Sequence, residues 1–142
     1  MERFTDLKLL EDRLNANFCL PHIGKIAIEF DLEEEDSKLE DFNALISISQ
    51  IWIKGLTKEI LDRLMIAIAN ELTDAAYTGS DYKPSSSDYI NLQRDLNITM
   101  VRFYPDSVFS LIFEAEKEYP DMEIYCLLDE SFSIEDLTVD RK

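Results

Sequence analysis

Residues 30–42, Phe-Asp-Leu-Glu-Glu-Glu-Asp-Ser-Lys-Leu-Glu-Asp-Phe, place seven carboxylates beside a single lysine. A run of this kind can chelate a divalent cation, attract a basic partner, or simply hydrate. It lacks the plan of a calcium-binding helix–loop–helix: no glycine stands at the sixth loop position and no spaced Asp-x-Asp-x-Asp is present. Acid pairs of the glycosidase type depend on a fixed separation across a cleft, which spacing along one chain does not define. A carboxylate-based, divalent-cation-dependent enzyme therefore stands as an alternative reading and not the leading one.

Other reactive side chains are sparse. Cys19-Leu20-Pro21-His22 has C-x-x-H spacing, but zinc takes four ligands, or three and a water. His22 is the sole histidine and Cys126 the only other cysteine. The chain is expected to hold no metal, and both cysteines, set among apolar neighbours, to be buried reduced thiols. A Ser-His-Asp or Cys-His constellation would also have to use His22, which reads as a loop residue. The glycines at 24, 55 and 79 cannot write a P-loop or a dinucleotide fingerprint, so no cofactor is expected.

Charge is the outlying property. Thirty acidic residues face fourteen basic ones, for a net charge of −16 at pH 7. Such a surface repels the phosphates of nucleic acid and of anionic membranes. It accelerates encounters with basic partners. The N-terminus has no basic segment leading into an apolar run, and no apolar stretch approaches the ~20 residues of a membrane span, so a cytoplasmic protein is expected.

The leading functional expectation is a small, acidic, non-enzymatic binding protein of the immunity or inhibitor kind, neutralising a basic protein partner. Its binding residues would be Asp31, Glu33, Glu34, Glu35 and Asp36, together with Glu114, Glu116, Glu118, Asp129 and Glu130. Trp52, Tyr104 and Tyr125 are candidate aromatic anchors. The alternative from another class is a homo-oligomeric assembly domain, most simply a homodimer, in which charge only limits aggregation.

These side chains need a scaffold, and 142 residues suggest one domain over 1–142. Phe4, Leu7, Leu10 and Leu14 recur at helical steps, predicting a helix over 4–16. Residues 25–30 alternate and predict a strand with Ile26, Ile28 and Phe30 on one face. Ser37–Glu40 has the form of a capping box for a short helix. Residues 44–54 read as a bulged strand. Thr57 is a good N-cap for the clearest helix, 57–78, closed by Gly79. Residues 79–88 read as a surface loop. Three strands then follow, separated by turns at Pro105-Asp106 and Pro120-Asp121, and residues 131–137 suggest a short terminal helix. The predicted fold is an α+β two-layer sandwich. Its antiparallel sheet has about five strands, ending in a three-strand meander, with one long helix on one face.

Overall fold

The structure, a computed structural model, describes residues 3–142; Met1 and Glu2, the first residues of the expected domain, lie outside the described residues. Seven strands form one sheet in sequence order: β1 (Thr5–Leu10), β2 (Arg13–Leu20), β3 (Gly24–Asp31), β4 (Asn97–Tyr104), β5 (Val108–Ala115), β6 (Tyr119–Leu128) and β7 (Ile134–Arg141). Every neighbouring pair is antiparallel except β3–β4. A three-strand and a four-strand meander thus meet at one parallel seam. The crossover between them carries a 3-10 turn (Leu39–Phe42) and three helices: α1 (Asn43–Lys54), α2 (Lys58–Ala76) and α3 (Ser86–Asp95).

This corrects the expected sheet of about five strands with a single long helix. The segment expected as a helix over 4–16 is the β1–β2 hairpin. Leu14, Ala16, Phe18 and Leu20 of β2 alternate into the core, whereas Leu7 and Leu10 are each about half exposed. The segment expected as a strand over 44–54 is α1, whose buried residues Leu45, Ser49, Trp52 and Ile53 follow the helical period. The expected terminal helix is the edge strand β7, so the C-terminal meander has four strands. Pro120 lies inside β6 and the turn before it is 116–118. The 79–88 loop gives way at Ser86 to α3.

Other expectations hold. Ile26, Ile28 and Phe30 share the buried face of β3. Thr57 caps α2, its hydroxyl accepting from the Ile60 amide at 3.3 Å. Gly79 follows the helix with φ +80°, a conformation glycine adopts without Cβ strain. The short turn at 39–42 is present, but the expected Ser37–Glu40 box is not: Lys38 is the N-cap, Asp41 accepts from its amide at 2.8 Å, and the Ser37 hydroxyl caps nothing.

The core lies between the helices and one face of the sheet. Aromatic rings occupy its centre. Phe4 meets Phe18, Phe30 and Phe103 at centroid distances of 5.0 to 5.9 Å. Trp52 of α1 stacks on Phe109 at 4.3 Å and on Phe132 at 4.7 Å.

The opposite face has no helical cover and carries a charged seam. Glu29 and Arg102 are register partners across β3–β4, with Arg102 Nε 2.6 Å from Glu29 Oε1. Their alignment is that of an ion pair and not of a straight hydrogen bond. Arg13 donates to the same carboxylate oxygen at 3.2 Å and pairs with Asp31 at 3.3 Å. Burial works against the Arg102 charge, but the Tyr104 hydroxyl and Glu29 outweigh it and raise its pKa above the ordinary guanidinium value.

Candidate functional site

Antiparallel strands in sequence order force alternate connections to one end of a sheet. Here the β1–β2 turn (11–12), the β3 exit (32–38), the β4–β5 turn (105–107) and the β6–β7 loop (129–133) share an end. Across six strand spacings of about 4.8 Å, that rim spans about 29 Å. The topology therefore brings Asp31, Glu33, Glu34, Glu35 and Asp36 to the same rim as Asp129 and Glu130. It adds three carboxylates that sequence reasoning missed: Glu11, Asp12 and Asp106. Among the described residues of these segments only Arg13 and Lys38 bring positive charge, and Arg13 is already committed to Glu29 and Asp31.

Short and long acids do different work on this rim. Asp12 accepts from the Asp36 amide at 2.9 Å, tying the β1–β2 turn to the β3 exit. Asp31 accepts from the Glu33 amide at 2.8 Å. Asp129 accepts from the Ser131 and Ser133 amides at 2.8 and 2.9 Å and so shapes the β6–β7 loop. Aspartate is short enough to bond backbone two residues on, which is its common role in turns. Glu34 and Glu35 have no hydrogen-bond or ion-pair partner among the described residues, and they project into solvent. A cleft of about 390 Å³ runs between Glu11, Asp12, Arg13, Asp31 and Glu33–Glu35.

The backbone here is also held in costly conformations. Glu11, Glu33, Asp36, Asp106, Ser107 and Phe132 all adopt positive φ, six of the nine non-glycine residues that do so among those described. Such residues persist only where their surroundings enforce them, and they concentrate at functional sites. Phe132, at φ 63°, is the most unusual, because bulky side chains rarely take this region.

The remaining site residues lie at the opposite end. Glu114 and Glu116 receive the Lys142 ammonium at 3.1 and 3.0 Å. Hydrogen bonding from Lys142 holds the Glu116 carboxyl below its ordinary pKa. Glu118 sits in the β5–β6 turn, where the Lys117 and Glu118 amides donate to Asp95 and fasten the turn to α3. The two groups of expected acids are thus separated by the length of the strands; Lys142 is shared by Glu114 and Glu116 in one, and Arg13 pairs with Asp31 in the other.

The chemistry-bearing residues elsewhere do not converge. Cys126 is buried in the core, where burial, aided by the charge of Glu71, pushes its thiol pKa up to about 12. Cys19 is exposed, contrary to expectation, because β2 buries Phe18 and Leu20 and turns Cys19 to the uncovered face. The two thiols therefore sit on opposite faces of the sheet. His22 lies in the β2–β3 turn, exposed, at φ 68°. Among the described residues, no three His, Cys, Asp or Glu side chains are grouped to hold a metal ion. No helix among them is long and apolar enough to cross a membrane. Of the expected anchors, Trp52 is buried beneath the rim, while Tyr104 and Tyr125 stand on the uncovered face, Tyr125 donating to Glu123 at 2.8 Å.

No protein-family model, curated protein or solved structure matches this chain.

Proposed function

We propose that this is a non-enzymatic binding protein that captures a basic protein partner on its acidic rim, in the manner of an inhibitor or immunity protein. The observation that carries the reading is the convergence of the 31–36 and 129–130 acids, with Glu11, Asp12 and Asp106, on one end of the sheet. A span of about 29 Å matches the width of a standard protein interface, roughly 800 Å² per partner. The aspartates fix the loops in advance, so the glutamates meet a partner with little ordering to undergo, which favours affinity. Carboxylates in such an array take the places that phosphates would hold on a nucleic-acid-binding or nuclease surface. A basic protein of that kind is the partner class we favour.

Growth of the sheet by addition of a second copy is opposed at its edges. β7 carries Glu135, Asp136 and Asp140, and β1 is interrupted by a bulge between Thr5 and Lys8. Charged and bulged edges resist strand pairing.

The test is retention of proteins from the native host on immobilised wild type and on the Glu33→Gln/Glu34→Gln/Glu35→Gln variant, in 50 mM and 500 mM NaCl. A basic protein held by wild type at low salt, released at high salt and lost by the variant is the expected result. Equal retention by both proteins, or binding indifferent to salt, would refute the rim as the recognition surface.

A further inference from the structure

Beside the acidic rim lies an apolar groove of about 280 Å³. Its walls are Ile48 and Ile51 of α1 and Phe132 of the β6–β7 loop, its floor is Trp52 and Phe109, and Glu130 closes one side. Ile51 is 76% exposed and Ile48 51% exposed, although both belong to a helix whose other face is packed in the core. Phe132 reaches the groove from a left-handed backbone, with its ring stacked on Trp52. Gly55 leaves the room that ring needs, since a Cβ there would stand 3.2 Å from it. The Trp52 indole donates to the Asp129 carbonyl at 3.4 Å, so the groove and the acidic loop are one mechanical unit.

We infer that this groove takes an apolar or aromatic anchor side chain carried on a positively charged segment of a protein partner. Charge complementarity decides the occupant. The groove is lined by Glu130 and by Ser107, whose chain neighbours are the acids Asp129 and Asp106, so an apolar side chain flanked by lysine or arginine satisfies both surfaces. The same border, identical on each copy, repels a second molecule of this chain. Binding sites commonly pair a desolvated apolar centre with a polar surround of this kind. The inference rests on the acidic-rim reading and adds to it the anchor and its pocket.

Trp52 is the chain's only tryptophan and it forms the groove floor, so its emission reports occupancy. The probes are two tryptophan-free helical peptides, one of lysine with leucine along one face, the other with serine replacing every leucine. Each is titrated into the wild type, Ile51→Asp and Glu33→Gln/Glu34→Gln/Glu35→Gln at 50 mM NaCl, with affinity read by calorimetry and groove occupancy by Trp52 emission. Folding of each variant is confirmed by circular dichroism; Ile51 is exposed enough to be replaced without loss of the core. The inference expects the leucine peptide alone to shift Trp52 emission. It also expects Ile51→Asp to weaken that peptide at least tenfold, while the serine peptide binds wild type and Ile51→Asp alike. Equal binding of both peptides to wild type, unchanged by Ile51→Asp but weakened by the triple variant, would overturn the groove and leave the rim reading intact. Binding of neither peptide would overturn both. Self-association of wild type that Ile51→Asp abolishes would assign the groove to a second copy and overturn the inference as stated.

Discussion

Replacing Arg102 with methionine should destabilise this protein through the charge it leaves behind. Glu29 is 8% exposed, and its carboxylate sits 2.6 Å from the Arg102 guanidinium at the parallel seam. Removing one member of a buried ion pair costs about 3–5 kcal/mol, because the other charge stays desolvated. Arg13 remains 3.2 Å away, but its side chain is half exposed and it is shared with Asp31, so it compensates only in part. The expected loss is about 2–3 kcal/mol, which for a chain of this length lowers Tm by about 6–9 °C. Glu29→Met should cost less, about 1–2 kcal/mol, because Arg102 keeps the Tyr104 hydroxyl and can extend toward water from the uncovered face. The double variant removes both charges and fills the seam with apolar volume. It should return to within about 1 kcal/mol of wild type. Urea unfolding of the four proteins completes a double-mutant cycle with an expected coupling of at least about 1.5 kcal/mol. Additive losses, or a double variant less stable than either single one, would refute the view that the seam's cost lies in an orphaned charge.

Four further outcomes follow from other parts of the fold. At pH 8, a thiol reagent should label Cys19 in the native protein and reach Cys126 only on unfolding; labelling of both at equal rates would contradict the burial of Cys126. The same burial raises the folded-state pKa of Cys126 to about 12 from 9.0. The proton is therefore held more tightly in the folded state, so this contribution is whole below pH 9 and is lost as pH rises from 9 toward 12, which denaturant midpoints across that range would show. Gly55→Ala suits the backbone, which has φ −81°, but places a methyl 3.2 Å from the Phe132 ring; it should cost about 1 kcal/mol by overpacking and alter Trp52 emission, and an unchanged spectrum would mean that the ring is not seated on Trp52. Glu33→Gln/Glu34→Gln/Glu35→Gln relieves like-charge repulsion and should stabilise the free protein by a few tenths of a kcal/mol at low salt, with the gain vanishing at 0.5 M NaCl; a gain that survives salt would have another source.

The elements legible in the sequence are those in which one signal dominates. α2 has an N-cap, a clean apolar stripe and a closing glycine. β3 alternates without interruption. The hairpin over 5–20 is hidden because its turn, Glu11-Asp12, has no glycine or asparagine and puts the positive φ of 56° on Glu11, which takes it because both strands are held in register. Tertiary context there overrides local preference. At the C-terminus, Ser131 and Ser133 resemble helix caps, but the Asp129 carboxylate captures both amides and makes a turn instead. Serine and aspartate favour caps and turns for the same reason, a side-chain oxygen within reach of nearby amides. α3 did leave a trace: Ser85 and Asp88 have capping-box spacing, and the Ser85 amide donates to Asp88 at 2.8 Å, inside what composition alone marks as loop. The rim could not be read at all. Residues 31–36 and 129–130 are about a hundred positions apart, and only the strand order sets them at one end.

The misreading of α1 is the most instructive, because it coincides with the groove. Its buried positions keep a helical period, but Ser49 is one of them, and Ile48 and Ile51 occupy the solvent side, so the apolar residues look scattered and β-branched. A helix that shows isoleucine to water departs from the rule linking pattern to burial, and such departures gather where function overrides packing. Covering a largely exposed isoleucine is worth about 1.5–2 kcal/mol, or roughly a 10- to 30-fold change in Kd. Long-range charge acts on another quantity, the rate of encounter. The two surfaces should therefore separate kinetically once a basic partner is in hand. Neutralising Glu33–Glu35 or adding salt should slow association and leave dissociation nearly unchanged, whereas Ile51→Asp should hasten dissociation at nearly constant association rate. If the acidic rim governed dissociation, or if the isoleucines affected neither rate, the division of labour between rim and groove would be wrong even where the partner itself bound.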